Sequence, residues 1–287
     1  MLLRRRSVIA VAAAFGAATV YASVASATMT RVGLATRSAT VPHASSHPLT
    51  WRGRPWGTPR LIRVDALHVA NVRPSPMVDD LHRRRKHPPG GSPPPTVPPP
   101  SGAAQCGLPG PGTNEYSTEG WKVPGARTMQ FNPSTTPAGL ANVASSLQGA
   151  LNAWAGADAR APRLTVTTGF TTTSPVADHQ DEAMFGALDS STLSETFTWT
   201  WSNGDVESDI VLNSNAAWFQ APSEGSGCYQ VAAYDVQDVL AHETGHLYGL
   251  GHAPNSPYNT MYPTALTGET YKRSLASGDS LGLNSLY

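Results

Sequence analysis

Three histidines and one glutamate in this chain are spaced for metal-assisted hydrolysis. His242-Glu243-Thr244-Gly245-His246 carries two imidazoles four residues apart. On an α-helix such positions share a face, so both rings can reach one ion at the ~2.0–2.1 Å that zinc prefers. Glu243 points along the same cleft toward the fourth coordination position, where a carboxylate can take a proton from water. Gly249 ends the helix where a left-handed turn needs no Cβ, and His252 can then swing back as a third nitrogen ligand. The whole string is His-Glu-x-x-His-x-x-Gly-x-x-His, and Asn259-Thr260-Met261-Tyr262-Pro263 follows with a methionine in a tight turn. An amphipathic core helix with incidental histidines is the competing reading. It fits poorly, because imidazoles at this density make a bad core.

These residues need a helix from about Asp235 to Tyr248. Asp235 suits its N-cap, and Asp238 in the first turn suits the dipole. A second helix is expected to open at Thr136-Pro137, with Leu140, Val143, Ala144, Leu147, Leu151 and Trp154 forming its apolar face. A last short helix is expected over Asp279 to Leu286. Strand patterns cover 127–131, 163–167, 197–201 and 209–213. Strands and helices in this order give an α+β fold with a mixed sheet and two long helices.

The charge is split along the chain. Of 20 basic and 20 acidic residues, 14 basic and 3 acidic lie in 1–104, and 6 basic and 17 acidic lie in 105–287. The neutral total argues against a nucleic-acid binder. Residues 1–27 have the three parts of a secretory signal peptide: basic Arg4-Arg5-Arg6, an apolar run from Val8 to Val24, and Ala25-Ser26-Ala27 before the cut. The twin arginine at 5 and 6 also suits a second export route. The mature chain is expected outside the cell, with no stable membrane insertion. Residues 28–104 are expected to be a basic, mostly disordered pro-segment and Pro-rich linker. Their apolar positions are sparse, apart from a strand-like piece, Arg60-Leu61-Ile62-Arg63-Val64, and prolines crowd 88–100. Docking of this basic segment on the acidic half is one expectation, and a solvated tail is the other. Residues 105–287 suffice for one domain with its own core.

The string from His242 to His252, followed by Met261, resembles the metzincin zinc endopeptidases. Gly249-Leu250-Gly251-His252 and Met261-Tyr262-Pro263 are similar to the matrixin branch, including its secreted bacterial members. Ala150–Trp154, Asp209–Asn213, Tyr234–Val239 and Asp279–Tyr287 extend the resemblance over most of 120–287. It implies a metzincin-like zincin catalytic domain: a mixed twisted sheet, two long helices, and a small C-terminal subdomain with a short last helix. It implies one catalytic Zn²⁺ on His242, His246 and His252, Glu243 as general base, and Met261 as the floor beneath the metal. It implies a protein or peptide substrate lying extended along an edge strand, with specificity from the pocket bordered by Ala253 to Thr264. A monomer is expected.

The sequence departs from vertebrate matrixins at Ala253, where those carry Ser, and it lacks their Gly-Asp and Phe-Asp-Gly signatures. No second zinc is expected. His179-x-Asp181-Glu182 reads as a solvated loop rather than a metal cluster, and Ca²⁺ at Asp205, Glu207 and Asp209 stays open. Cys106 and Cys228 are the only cysteines. An even count in an exported chain favours one disulfide. The alternative is a cysteine switch at Cys106-Gly107-Leu108-Pro109, in which a thiolate blocks the zinc; Arg does not precede this cysteine and Asp does not follow Pro109. The leading expectation is a secreted zinc-dependent endopeptidase. The alternative is an inactive zinc-binding surface or adhesion module on a Pro-rich tether, against which Glu243 speaks.

Overall fold

The computed structural model describes residues 50–51, 54–55, 58–69, 112–225 and 232–287. Residues 1–27, the proline-rich run and both cysteines lie outside the described residues, and with them the signal-peptide, disulfide and switch readings.

A seven-stranded mixed sheet forms the frame. In chain order its strands are β1 (Arg60–Val69), β2 (Arg127–Phe131), β3 (Leu164–Thr168), β4 (Asp181–Gly186), β5 (Thr192–Thr200), β6 (Val206–Asn213) and β7 (Thr264–Ala265). Their spatial order is β7-β1-β5-β6-β4-β2-β3. β5 runs antiparallel to both its neighbours, and every other pairing is parallel.

Alternation sets the two faces of the sheet. Met129 and Phe131, Ala183 and Phe185, and Ile210 and Leu212 enter one core with the helices, while Trp199, Trp201 and Ala177 form a smaller cluster. Helix α1 (Val143–Ala157) buries Val143, Leu147, Ala150, Leu151 and Trp154, the spacing its sequence predicts. It packs on α2 (Val236–Tyr248), where the Trp154 indole donates to the Ala241 carbonyl at 2.8 Å. The third helix, α3 (Ser277–Leu286), closes the fold. Two long helices, a mixed sheet and a short last helix are the α+β arrangement expected.

Three local expectations change. The first long helix starts at Val143 rather than near Thr136. Asn142 sits left-handed at φ 56°, and Gly139 at φ 92°, so the chain turns twice before it can coil. The segment His179-x-Asp181-Glu182 is no solvated loop, because Asp181 and Glu182 open β4, which is buried between β2 and β6. Asp181 is accommodated there by Arg127 at 2.6 Å and by the Ser208 N–H at 2.8 Å. The strand-like piece at 60–64 extends to ten residues and joins the sheet, whereas the composition of 28–104 pointed to a mostly unpacked chain. Its residues 65–67 are buried where they pair with β5, and residues 68–69 pair with β7; the segment itself is not apolar.

The buried carboxyls of β4 make the fold sensitive to pH. Glu182 stands opposite Asp209 of β6, is fully buried, and neither of its oxygens has a hydrogen-bond partner. Burial, then the charges of Asp178, Glu207 and Asp181, pushes its pKa up to about 9 from an ordinary 4.5. A carboxyl raised in this way binds its proton more tightly in the folded chain. Its contribution therefore holds below about pH 4.5 and is lost as pH rises toward 9. Glu182→Gln should stabilise the protein by about 1–3 kcal/mol at pH 8 and by less at pH 5. Urea unfolding of both proteins at the two pH values measures this; an advantage that shrinks toward pH 8 refutes the assignment.

Candidate metal centre

Helix α2 begins where Asp235 caps it, accepting from the Asp238 N–H at 3.0 Å. The same carboxylate takes the Arg273 guanidinium through Nε at 2.7 Å and Nη2 at 2.6 Å. Asp238 accepts from the Lys272 N–H at 2.7 Å. The helix entry is thereby fixed to the turn at Tyr271–Arg273. The helix ends at Gly249, φ 100°, whose N–H returns to the Gly245 and His246 carbonyls. A Cβ at 249 would stand 2.2 Å from the Trp121 carbonyl oxygen. Gly249→Ala should therefore cost at least ~1–2 kcal/mol for the left-handed residue alone, and the melting temperature should drop by several degrees. An unchanged melt would show that the turn relaxes freely.

After this turn, Leu250–Gly251 pairs with Ser117–Thr118, and the Ser117 hydroxyl donates to the His252 carbonyl at 2.8 Å. His252 is thus returned toward the helix. The structure brings together the three predicted histidines. Nε2 of His242 lies 3.1 Å from that of His246 and 3.3 Å from that of His252. One ring nitrogen from each lies within 4.8 Å of the others, and this is the one group of three or more such donors among the described residues.

The chemistry of the donors fits a cation. His242 donates through Nδ1 to the Thr260 carbonyl at 2.7 Å, and His246 through Nδ1 to the Leu250 carbonyl at 2.9 Å. With the proton held at Nδ1, each Nε2 presents a lone pair to the other. Burial, with the neighbouring histidines, holds His242 and His252 well below the usual imidazole range, hence neutral. Nitrogens ~2.0–2.1 Å from a tetrahedral zinc stand roughly 3.4 Å apart, close to the observed spacing.

Glu243 is fully buried on the same helix. The Ser194 and Thr196 hydroxyls of β5 each donate to one of its oxygens at 2.5 Å. Burial pushes its pKa up to about 8, against the pull of those two hydroxyls. Met261 lies against α2 at Gly245, where an added Cβ would stand 2.2 Å from its sulfur. The Met261 turn is held from α3, since Asp279 accepts from the Thr260 N–H at 2.8 Å and the Met261 N–H at 3.2 Å. Ser194, Thr196 and Asp65 at this site were not anticipated. Period-two alternation along 192–200 could have placed the first two on one face of a strand, but not against Glu243.

The candidate calcium carboxylates are engaged elsewhere. Glu207 accepts from the Asp178 and His179 N–H groups at 2.9 and 2.6 Å, and Asp209 from the Val176 N–H at 2.9 Å. Asp205 lies 3.5 Å from Arg127 and 3.6 Å from His179.

A helix carrying two histidines, a return turn carrying the third and a methionine turn below it define a metzincin-type centre. The family model described as Matrixin matches residues 127–287, more than half of the chain, and the chain belongs to that family. The family implies zinc. The chain is also 33% identical over 123 residues to the metalloendoproteinase 2-MMP of Arabidopsis thaliana; the match covers 42% of this chain and 29% of the plant protein.

Proposed function

We propose that the chain is a secreted zinc-dependent endopeptidase. The observation that carries this is the meeting of three imidazoles, two of them held neutral by burial, beside a buried glutamate. His242, His246 and His252 would hold the ion. Zinc, when bound there, supplies a Lewis acid that acidifies water and polarises a peptide carbonyl. Glu243 takes the proton of the attacking water and delivers it to the leaving amine. Ser194 and Thr196 hold its carboxylate in place. A peptide would lie extended beside β5 in place of β1, which pairs with that edge in the described fold. Export by the N-terminal signal supports action outside the cell. No helix among the described residues is long and apolar enough to cross a membrane.

The test uses the full chain loaded with zinc, before and after brief trypsin treatment. An unfolded protein and a broad peptide library are offered, with and without chelator. Cleavage that chelator abolishes supports the proposal. A trypsin-treated chain that holds zinc and cuts nothing contradicts it, and leaves the zinc-binding surface module as the better reading.

A further inference from the structure

The wall that a peptide beside β5 would meet carries one acid, Glu119. Its N–H donates to the Gly249 carbonyl at 2.8 Å, just past the pairing of Ser117–Thr118 with Leu250–Gly251. Its carboxylate lies over Gly251, where an added Cβ would strike Oε1. Glu119 is thereby fixed to the turn that returns His252, and belongs to the site rather than to the strand that covers it. Its side chain is 12% exposed, and Arg63 is the one cation paired with it among the described residues, through Nη2 at 2.9 Å.

The register of β1 shows which residue of a peptide would reach Glu119. Directly opposed residues of an antiparallel pair share a face. Asp65 opposes Thr196, and Leu67 opposes Ser194. Thr196 and Ser194 are the two residues that hold Glu243, so Asp65 and Leu67 face the active helix and the stretch 65–67 passes the base. A peptide that takes over the hydrogen bonds of β1 runs in the same direction and presents its cut bond at this level. Arg63 comes earlier on the same face, opposite Thr198, and its Nε donates to Asp65 at 2.8 Å. The residue that meets Glu119 therefore precedes the cut bond. A peptide laid over Glu119 strips water from its carboxylate, which is costly unless a cation answers the charge. An apolar or acidic residue at that level leaves the charge covered and unpaired, so the wall rejects it.

Resting on the peptidase reading, we propose that Glu119 is a specificity-determining residue that selects peptides with arginine or lysine a few residues before the cut bond. Arginine is the better fit, since its planar fork can keep one N–H on Glu119 while others serve the peptide's own groups, as Arg63 does with Asp65. Glu119 acts on which peptide is held and takes no part in moving the proton.

The experiment uses the zinc-loaded chain after immobilised trypsin has cut it and been filtered off, since trypsin itself cuts after basic residues. A peptide that the chain cleaves is taken from the library, and arginine, its neutral isostere citrulline, or glutamate is placed at each position before the bond. Only cleavage that chelator abolishes is counted. At one position the wild type should favour arginine over citrulline by about 10-fold or more in kcat/KM. Glu119→Gln should make the two nearly equal, and Glu119→Lys should favour glutamate over arginine. A merely structural residue would slow all three peptides alike. Far-ultraviolet circular dichroism and a melt confirm that the variants fold; if neither does, the wild-type ratio decides. Equal rates on arginine and citrulline at every position overturn the proposal, as does a preference that folded Glu119→Gln keeps. If the cut chain holds zinc but cleaves nothing, the peptidase reading fails, and binding decides the role of Glu119. A labelled peptide with the sequence of Arg60–Val69 should then bind the cut chain about 10-fold more tightly than the same peptide with citrulline for Arg63, and Glu119→Gln should erase that difference. Equal binding of the two peptides by the wild type overturns the proposal.

Discussion

Glu243→Gln, assayed after trypsin treatment, should reduce kcat by about 10²–10⁴-fold while zinc content stays at the wild-type level. The variant should fold. A Gln side chain keeps the shape of the glutamate, its carbonyl can accept from one of the Ser194 and Thr196 hydroxyls, and its amide can donate to the other. Losing a carboxylate whose pKa burial raises to about 8 removes a charge the interior disfavours. What disappears is the acceptor for the proton of water. Parallel measurement of kcat, KM and bound zinc separates the possibilities. A drop in kcat with zinc retained fits a base. A drop that follows lost zinc fits a merely structural glutamate, and activity within a few-fold of wild type would show that another group accepts the proton.

The second large effect is on the metal itself. His252→Ala should reduce zinc affinity by more than the roughly 10–100-fold that loss of a partner behind a ligand costs, because one of three nitrogens is gone. The fold should survive. His252 is only partly buried, and the bonds that return the chain there are made by backbone: Leu250–Gly251 with Ser117–Thr118, and the His252 carbonyl with Ser117. A ligand that binds only the native state raises stability by mass action. Added zinc should therefore raise the melting temperature of the wild type and leave that of His252→Ala nearly unmoved. Equal shifts would show that zinc sits elsewhere.

The centre was readable in the sequence because its parts are local. His242, Glu243 and His246 share two turns of one helix, and Gly249 and His252 follow within a few residues. Helical period and one obligatory turn suffice to bring them together. The strands at 127–131 and 209–213 were readable for the same reason, since the first carries its own alternation and the second its own apolar run, Ile210-Val211-Leu212. What escaped depends on distant partners. Asp181 and Glu182 look solvated until Arg127 and the Ser208 N–H are placed beside the first and Asp209 opposite the second. Asn142 looks like any helical position until it adopts φ 56°. Arg60–Val69 carries too little apolar surface to suggest burial, and becomes a central strand only because two rims on either side bond to it. Asp65 looks like an ordinary surface acid until register points it at Glu243.

The carboxylate of Asp279, receiving the Thr260 and Met261 N–H groups, gives the centre an order of assembly. During synthesis the three imidazoles leave the ribosome before the residue that steadies the methionine beneath them. A nascent chain halted between His252 and Asp279 has all its nitrogen donors but no fixed support under them. Capture of the ion in its final geometry is thus a late event of biogenesis, completed only when α3 has docked.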